Sequence, residues 1–261
     1  MNAADIRIDT DASFLLIGDS GTKKTSFIAT CPQPSFTFDF DTGMAVHRGN
    51  ADIFYDTFKE LPKGQAIDPK GTRFTQAEGW YEWGKAWPAF LKRINEIGRE
   101  IDSGTCVYQT LAIDSLTLMT DACMNYVLRE NNRTVPEIRD WGAFLNNMSA
   151  VFSQLTAWPL VKVFTAHIKR DENQVTGAIE QLPLVPGQFA GKVSVYFDEV
   201  YFCQVGSEPV KPGSTDRVTK WFLKTTPDAV YKQAKSRKYN LPNGTPTDFQ
   251  EIQKIVATRA A

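Results

Sequence analysis

The sequence predicts an α/β fold whose central sheet is mainly parallel and flanked by helices, with antiparallel strands toward the carboxyl end. Short apolar runs alternate with amphipathic helical stretches, which is the pattern of a parallel sheet with helical crossovers. A glycine-rich turn directly follows the first apolar run. Several later strands end in a polar residue, and ligands of such sheets bind at the carboxyl edge.

The chain has 261 residues and an ordinary globular composition, with 42% hydrophobic and 23% charged residues. We expect a single domain over residues 1–261, with a core at about 12–240 and a terminal helix at about 247–261. The 29 basic and 30 acidic side chains give a net charge of −1. That balance does not indicate nucleic-acid binding, although a local basic face would be enough for it.

The four cysteines are widely spaced and form no CxxC pair, so we expect neither a zinc site nor a disulfide framework. The first residues are polar and acidic and lack the basic and apolar regions of a signal peptide. No apolar run approaches the ~18 residues of a membrane span. These features predict a cytoplasmic protein with no membrane partner.

The first half of the chain contains three predicted strands, at residues 13–18, 35–41 and 51–58, and a helix that begins at 25–30. Residues 59–79 are rich in glycine, proline, lysine and glutamine, which predicts a long surface loop.

An amphipathic helix is predicted over residues 80–101, with a kink or a break at Pro88. Residues 169–188 form a predicted loop that is too long for a simple connector. The remaining predictions are strands at 107–113, 160–166, 195–205 and 218–225, helices at 116–131 and 141–157, and a terminal helix at 247–261 with Thr247 or Asp248 as its N-cap.

A glycine-rich turn between a strand and a helix directs backbone N–H groups inward and forms an anion site. In the pattern GxxxxGK[ST], the lysine reaches the β and γ phosphates and the hydroxyl ligates Mg²⁺. Lys24 and Thr25 stand at those two positions after Gly18. The candidate phosphate-binding residues are Gly18, Asp19, Ser20, Gly21, Thr22, Lys23, Lys24, Thr25 and Ser26.

One position departs from this pattern, because Lys23 stands where glycine normally precedes the catalytic lysine. Its side chain must either point to solvent or crowd the phosphates. A positive φ at this position would cost a lysine about 1 kcal/mol. The departure puts hydrolysis in doubt more than nucleotide binding.

Carboxylates follow two of the predicted strands. Strand alternation puts Asp39 and Asp41 on one side, and Asp41 is the candidate general base, with Asp39 as the second choice. The alternative is that both cap the following turn. Asp114 ends the apolar run 110–113 and is suited to hold Mg²⁺ opposite the hydroxyl of Thr25. The alternative for Asp114 is a helix N-cap.

His167 ends the strand at 160–166 and is followed by Lys169, Arg170 and a loop. A lone histidine commonly has a structural role. At the carboxyl edge of the sheet, however, His167 would lie near the γ-phosphate, where we predict that it acts as a sensor.

The order of these motifs resembles that of RecA-like ATPases, and more narrowly of phage-encoded AAA-type ATP-binding proteins, over about residues 14–240. The motifs that carry the resemblance are the phosphate loop, Phe38-Asp39-Phe40-Asp41-Thr42-Gly43, Ile113-Asp114-Ser115-Leu116-Thr117, Asp140-Trp141-Gly142, Thr165-Ala166-His167 and Phe197-Asp198-Glu199-Val200. The resemblance implies a RecA-like P-loop NTPase core that binds ATP and Mg²⁺ and acts as an ATPase.

Lys235 and Arg237 are similar to the Lys-x-Arg pair of hexameric RecA-like motors. In those proteins such cations reach the γ-phosphate in the neighbouring subunit and stabilise the charge of the transition state. The resemblance therefore implies a catalytic role in trans. A basic turn and a nucleic-acid contact are the alternatives.

Some members of the resembling group are recombinases or single-strand annealing proteins. The resemblance thus implies a homo-oligomer, as a ring or a filament, with ATP at its interfaces and single-stranded DNA as partner. Candidate DNA contacts are Lys169, Arg170 and Lys192. A nucleotide-dependent switch or assembly protein, with hydrolysis weakened by Lys23, is the alternative. A metabolic kinase ranks last because no base-recognition or acceptor motif supports it.

Overall fold

The computed structural model describes residues 12–64, 79–172, 177–211 and 215–260. Its strands are β1 (Ser13–Ile17), β2 (Ser35–Asp39), β3 (Ile53–Thr57), β4 (Lys59–Glu60), β5 (Trp80–Tyr81), β6 (Thr110–Asp114), β7 (Val161–Ala166), β8 (Ile168–Glu172), β9 (Ile179–Pro183), β10 (Glu199–Pro209), β11 (Arg217–Lys224), β12 (Lys235–Ser236) and β13 (Thr245–Pro246). Its α-helices are α1 (Lys24–Ile28), α2 (Ala86–Asp102), α3 (Leu116–Glu130), α4 (Ile138–Ala157), α5 (Phe189–Lys192) and α6 (Phe249–Ala260).

Within the described residues, a nine-stranded sheet has the order β13-β11-β10-β1-β7-β6-β2-β3, and β12 pairs with β10 off this path. The strands from β10 to β3 in this order all run parallel. The strands β11, β12 and β13 are antiparallel to their neighbours. The predicted fold class, a mainly parallel sheet with antiparallel strands toward the carboxyl end, is confirmed.

Helices cover both faces of the sheet, because the strands are apolar on both sides. In β1, Leu15 and Ile17 pack into a core with residues of α2, α3 and α4. Phe14 and Leu16 pack on the opposite face, in a core with residues of α1 and α6. All five residues of β1 are buried. This two-sided burial explains why β1 is a nearly continuous apolar run.

The predicted helix at 80–101 is corrected in its first turns, since α2 begins only at Ala86 and residues 80–81 form β5. Pro88 therefore lies in the first turn of α2 rather than in its middle. The backbone N–H groups of a first helical turn have no partner within the helix, so a proline costs little there. A break at Pro88 is excluded, because α2 is continuous from Ala86 to Asp102.

The predicted loop at 169–188 is also corrected. Its described part contains β8 and β9, which form an antiparallel hairpin from Ile168 paired with Pro183 to Glu172 paired with Ile179. Exposed polar residues in β8 removed the apolar alternation by which a strand is recognised. Residues 65–78 of the other predicted loop, at 59–79, lie outside the described residues, and β4 lies at its start.

Further boundaries differ from prediction, and one uncertain boundary is decided. The strand predicted at 107–113 begins only at Thr110. The helix predicted at 141–157 begins earlier, at Ile138, because Glu137 and Asp140 form a capping box. The strand predicted at 195–205 begins at Glu199, after a 3₁₀ turn. For α6, Asp248 is the N-cap, since its carboxylate accepts from the Glu251 amide at 3.1 Å. No helix in the described parts of the chain is long and apolar enough to cross a membrane.

Phe90 of α2 packs against Phe38, Phe40 and Phe58, with ring centroids 5.0, 5.2 and 5.8 Å away. We predict that Phe90→Ala lowers the free energy of unfolding by about 3–5 kcal/mol, because it leaves a cavity in a buried aromatic cluster. Urea unfolding measures this. The matched control is Phe54→Ala on the edge strand β3, where the side chain is 46% exposed and the expected loss is about 0.5 kcal/mol. Equal losses for the two variants would contradict the packing.

Candidate functional site

The carboxyl ends of β1, β2, β6 and β7 meet at one edge of the sheet and surround a cleft of about 390 Å³. The cleft is lined by Ser20, Gly21, Thr22, Lys23, Lys24, Thr25, Ser26, Asp41, Gly43, Val46, Asp114 and His167. The structure therefore brings together most of the residues that the sequence selected, from four separate segments. Gly18 and Asp19 do not line the cleft, but their carbonyl oxygens contact the Lys24 ammonium.

Lys24 is buried at the start of α1, and its ammonium donates to the carbonyl oxygens of Gly18 and Asp19, both at 2.8 Å. Burial lowers the pKa of this ammonium. A side chain at position 18 would meet the carbonyl oxygen of Cys203 at 2.9 Å, so only glycine fits there. The Lys24 side chain thus crosses the phosphate loop, and its ammonium contacts the two residues that follow β1.

The backbone at Lys23 is left-handed, with φ of 64° and ψ of 19°. Gly21 also has a positive φ, of 80°. Left-handed residues next to helical ones turn successive N–H groups toward one point, which makes a concave anion site. The strain expected at Lys23 from the sequence is therefore present, at about 1–2 kcal/mol for a non-glycine residue.

The Lys23 side chain turns outward, and its ammonium lies 3.8 Å from the centroid of the Trp221 ring. A cation–π contact at an exposed position contributes about 0.5–1 kcal/mol, which offsets part of the left-handed strain. The indole N–H of Trp221 also donates to the Gly21 carbonyl at 2.9 Å. The sequence allowed the Lys23 side chain either to point to solvent or to crowd the phosphates. The side chain points outward, and its ammonium lies on the Trp221 ring rather than in open solvent.

Asp114 is buried between two hydroxyl groups. The Thr25 hydroxyl donates to one carboxylate oxygen at 2.7 Å, and the Thr165 hydroxyl donates to the other. Burial raises the pKa of Asp114. The alternative role as N-cap is excluded, because the hydroxyl of Ser115 caps α3 by accepting from the Leu118 amide. Hydroxyl and carboxylate oxygens are the hard ligands that Mg²⁺ prefers, so these residues fit that ion.

The side chains of Asp41 and His167 are hydrogen-bonded, with 2.9 Å between the imidazole Nε2 and a carboxylate oxygen. Both side chains are about one-third exposed toward the cleft. The hydrogen bond from His167 lowers the pKa of Asp41, so this carboxylate is ionised at neutral pH. His167 is itself fixed through its backbone N–H, which donates to the Thr117 hydroxyl at 3.0 Å.

Asp39 does not line the cleft, which corrects the prediction that it shares a side with Asp41. Its carboxylate accepts from the Gly43 amide at 3.2 Å and from the Thr57 hydroxyl at 3.3 Å. Strand alternation ends at Asp39 because the next two amides, of Phe40 and Asp41, both donate to the Asp114 carbonyl. Burial raises the pKa of Asp39 to about 6. Asp39 is a turn-bracing residue, and Asp41 is the carboxylate that faces the cleft.

Lys235 and Arg237 lie away from this cleft. Lys235 donates to the Ser194 carbonyl at 2.7 Å, and Arg237 pairs with Asp198 at 2.9 Å. Because Asp198 also bonds to Ser13 at the start of β1, this group lies at the amino edge of the sheet. A role of the two cations in trans stays a prediction.

The candidate DNA contacts lie in two places. Lys169 and Arg170 are on β8, directly after His167, and Arg170 is 3.6 Å from Asp19 of the phosphate loop. Lys192 ends α5, and its side chain is exposed. These contacts also stay predictions.

Sequence reasoning missed four residues that hold the site. Thr165 and Thr117 fix Asp114 and His167, and His47 contacts the Thr25 carbonyl at 3.1 Å. Trp221 contacts Gly21 and Lys23 from β11. Thr165 lies in the motif Thr-Ala-His and Thr117 in the motif Ile-Asp-Ser-Leu-Thr. Their positions in motifs that were already selected could have identified them as site residues. No local pattern marked His47 or Trp221.

Residues 10–237 match the model of a protein family that is described as an AAA domain. The match covers most of the chain, and the chain belongs to this family. No curated protein matches the sequence.

Two solved structures have a similar arrangement of elements. An ATPase from the type III secretion system of pathogenic bacteria has 12% identity over 74% of this chain, with a TM-score of 0.45. The chain spans about half, 52%, of the length of that ATPase. A KaiC-like protein from Pyrococcus horikoshii OT3 has 13% identity over 82% of this chain and 78% of its own, with a TM-score of 0.41. Such distant likeness assigns neither activity nor partner to this chain.

The buried carboxyl of Asp39 makes stability depend on pH. Its pKa is about 6 in the folded state and 3.8 without burial, so the folded protein binds this proton more tightly. Its contribution to stability is therefore present below pH 3.8 and lost as pH rises through about 6. We predict that Asp39→Asn raises the free energy of unfolding at pH 7 by about 3 kcal/mol and removes this pH dependence.

Urea unfolding at pH 4.5 and pH 7 checks this expectation. The matched control is Asp52→Asn, at an exposed position just before β3, which should leave the pH dependence as it is. A less stable Asp39→Asn protein at pH 7 would show that the charged carboxylate stabilises the turn.

Proposed function

We propose that this AAA-domain protein binds ATP with Mg²⁺ at the carboxyl edge of its sheet and hydrolyses it. The observation that carries the proposal is the shared cleft of Lys24, Thr25, Asp41, Asp114 and His167. Together these side chains can bind phosphate, hold Mg²⁺ and orient water for phosphoryl transfer, and four separate chain segments supply them.

Binding is assigned to the phosphate loop. The N–H groups around Gly21 and Lys23 and the start of α1 suit the phosphate oxygens, and Lys24 suits the β and γ phosphates. Thr25 and Asp114 would hold Mg²⁺, which neutralises charge on the phosphates when bound. In the structure, Lys24 and Thr25 donate to other protein oxygens, so both polar groups are positioned and can exchange those partners for ligand oxygens.

Hydrolysis is assigned to Asp41 and His167. The Asp41 carboxylate accepts a hydrogen bond from the attacking water and orients it. His167 donates to Asp41 at 2.9 Å and keeps that carboxylate ionised and directed into the cleft. Because His167 begins the segment that leads into β8, a change at the γ-phosphate would be transmitted to the β8–β9 hairpin.

We further propose a homo-oligomer, in a ring or a filament, in which Arg237 and Lys235 act on ATP bound by the neighbouring subunit. The Arg237 side chain is 69% exposed although it pairs with Asp198. An exposed ion pair is weak and salt-sensitive, so the guanidinium can leave it for a phosphate. ATP would then lie at the subunit interface.

Single-stranded DNA is the proposed partner, in recombination or strand annealing such as phages encode. The support is the exposed β8–β9 hairpin, which carries Lys169 and Arg170 beside the phosphate loop. Lys192 adds a third exposed cation. DNA bound by the hairpin would lie one residue from His167, and through it would influence Asp41.

A nucleotide-dependent switch or assembly protein with weak hydrolysis is the second candidate. The left-handed Lys23 is the observation that favours it, because a lysine replaces the usual glycine at that position. Its outward orientation onto Trp221 favours hydrolysis instead, since the ammonium does not crowd the phosphates.

We predict that Lys24→Ala weakens binding of a fluorescent ATP analogue by about 10- to 100-fold, because charged hydrogen bonds to the phosphates are lost. Fluorescence titration measures the change. Lys220→Ala, which removes an exposed ammonium on β11, is the matched control and should bind normally. Normal binding by the Lys24 variant would refute the phosphate-loop assignment.

We predict that Asp41→Asn lowers kcat by about 100-fold or more and leaves binding of a non-hydrolysable analogue unchanged, because only water activation is lost. His167→Gln should have a smaller effect of the same kind, since glutamine retains a donor for Asp41. Steady-state ATP turnover measures both. Equal loss of analogue affinity and turnover would instead give these residues a binding role.

ATP turnover with and without single-stranded DNA separates the two candidate functions, on a sample whose oligomeric state is measured at the same time. We predict stimulation by DNA, loss of stimulation in a Lys169→Ala/Arg170→Ala variant, and DNA affinity that falls steeply with salt. Tight ATP binding with no turnover and no effect of DNA would leave the switch as the function.

A further inference from the structure

We propose that Trp221 is a positioning residue for the phosphate loop, which it braces from outside through Gly21 and Lys23. This inference rests on the proposed nucleotide binding and names a residue that the phosphate-loop pattern does not contain. Trp221 lies on β11, which is separated from β1 by β10 in the sheet. The brace therefore joins the antiparallel part of the sheet to the loop that follows β1.

The first contact fixes the peptide group between Gly21 and Thr22. The Trp221 indole N–H donates to the Gly21 carbonyl at 2.9 Å. In a trans peptide, the C=O and the following N–H point in opposite directions. Holding the carbonyl toward Trp221 therefore turns the Thr22 N–H to the other side. The orientation matters because Gly21, with φ of 80°, is a flexible residue that could adopt other backbone states.

The second contact fixes the residue just before the catalytic lysine. The Lys23 ammonium lies 3.8 Å from the Trp221 ring centroid, while the Lys23 backbone is left-handed. The outward side chain keeps the left-handed backbone in place, and Lys24 then enters α1 with its ammonium across the loop. Thr22, between the two braced residues, is buried and donates its hydroxyl to the Asp19 carbonyl at 2.7 Å.

Packing alone does not account for Trp221. The side chains that form the two hydrophobic cores of the described residues do not include it. The indole is half-buried, and its N–H and its ring face both contact the phosphate loop. A large aromatic side chain outside the cores, with its N–H and its face both directed at the loop, fits a role in holding the loop for phosphate.

The test uses the full chain with four single variants and with two double variants that combine Lys23→Ala with each Trp221 substitution. Trp221→Phe keeps an aromatic ring for Lys23 but removes the N–H donor. Trp221→Leu removes both contacts, and Lys23→Ala removes the ammonium alone. Val218→Ala, an exposed position on the same strand, is the matched control. Binding of a non-hydrolysable ATP analogue with Mg²⁺, steady-state turnover and the urea midpoint are measured on each.

We expect Trp221→Phe to weaken analogue binding and raise KM by about fivefold, the effect of one hydrogen bond, with kcat within about twofold of wild type. Asp41 and His167 do not contact Trp221, so kcat should be spared. Lys23→Ala should weaken binding further in the Trp221→Phe background and have no additional effect in the Trp221→Leu background, where the ring is already absent.

Wild-type KM and analogue binding in Trp221→Phe and Trp221→Leu would overturn the inference and leave the proposed nucleotide site intact. A lower urea midpoint with unchanged KM in the variants that fold would also overturn it, since that is the result of a purely structural role. Absence of analogue binding in the wild-type protein and in Val218→Ala would instead overturn the proposed function itself.

Discussion

The buried carboxylate of Asp114 is the interaction on which the rest of the site depends. One oxygen accepts from Thr25 of α1 and the other from Thr165 of β7, while the backbone carbonyl of the same residue accepts from the amides of Phe40 and Asp41. Three segments that are distant in sequence are therefore tied to one residue at the end of β6. Because a buried carboxylate must be hydrogen-bonded, their relative placement is strongly constrained.

The hydrogen bonds to Asp114 also give the two neighbouring acidic residues, Asp39 and Asp41, different orientations. The two amides that donate to the Asp114 carbonyl end the alternation of β2, which leaves Asp39 buried under the turn and directs Asp41 to the cleft beside His167. Burial raises the pKa of Asp39 to about 6, whereas the hydrogen bond from His167 lowers the pKa of Asp41. Two carboxylates separated by one residue thus differ in pKa, and the one with the lowered pKa faces the cleft.

The phosphate loop contains a lysine, Lys23, in a left-handed conformation directly before Lys24. This lysine is held from outside the loop, by Trp221 of β11. The Lys23 ammonium lies on the Trp221 ring, and the indole N–H donates to the Gly21 carbonyl. The antiparallel strands at the carboxyl end of the chain are therefore connected to the proposed nucleotide site. This gives the β10–β11 pair a role in the proposed function beyond extending the sheet.

The sequence by itself determined the fold class, the phosphate loop and the residues at the ends of four strands, because apolar periodicity and the spacing from Gly18 to Thr25 are local properties. The exposed polar strand β8 was not predicted, because it lacks the apolar alternation of a strand. The start of α2 was predicted too early, because the helical pattern extends into residues 80–85, of which 80–81 form β5. Tertiary structure alone decided that Asp41 rather than Asp39 faces His167, and that Trp221 braces a loop 200 positions away in the chain. Such contacts depend on how strands are ordered and registered in the sheet, which no local pattern encodes.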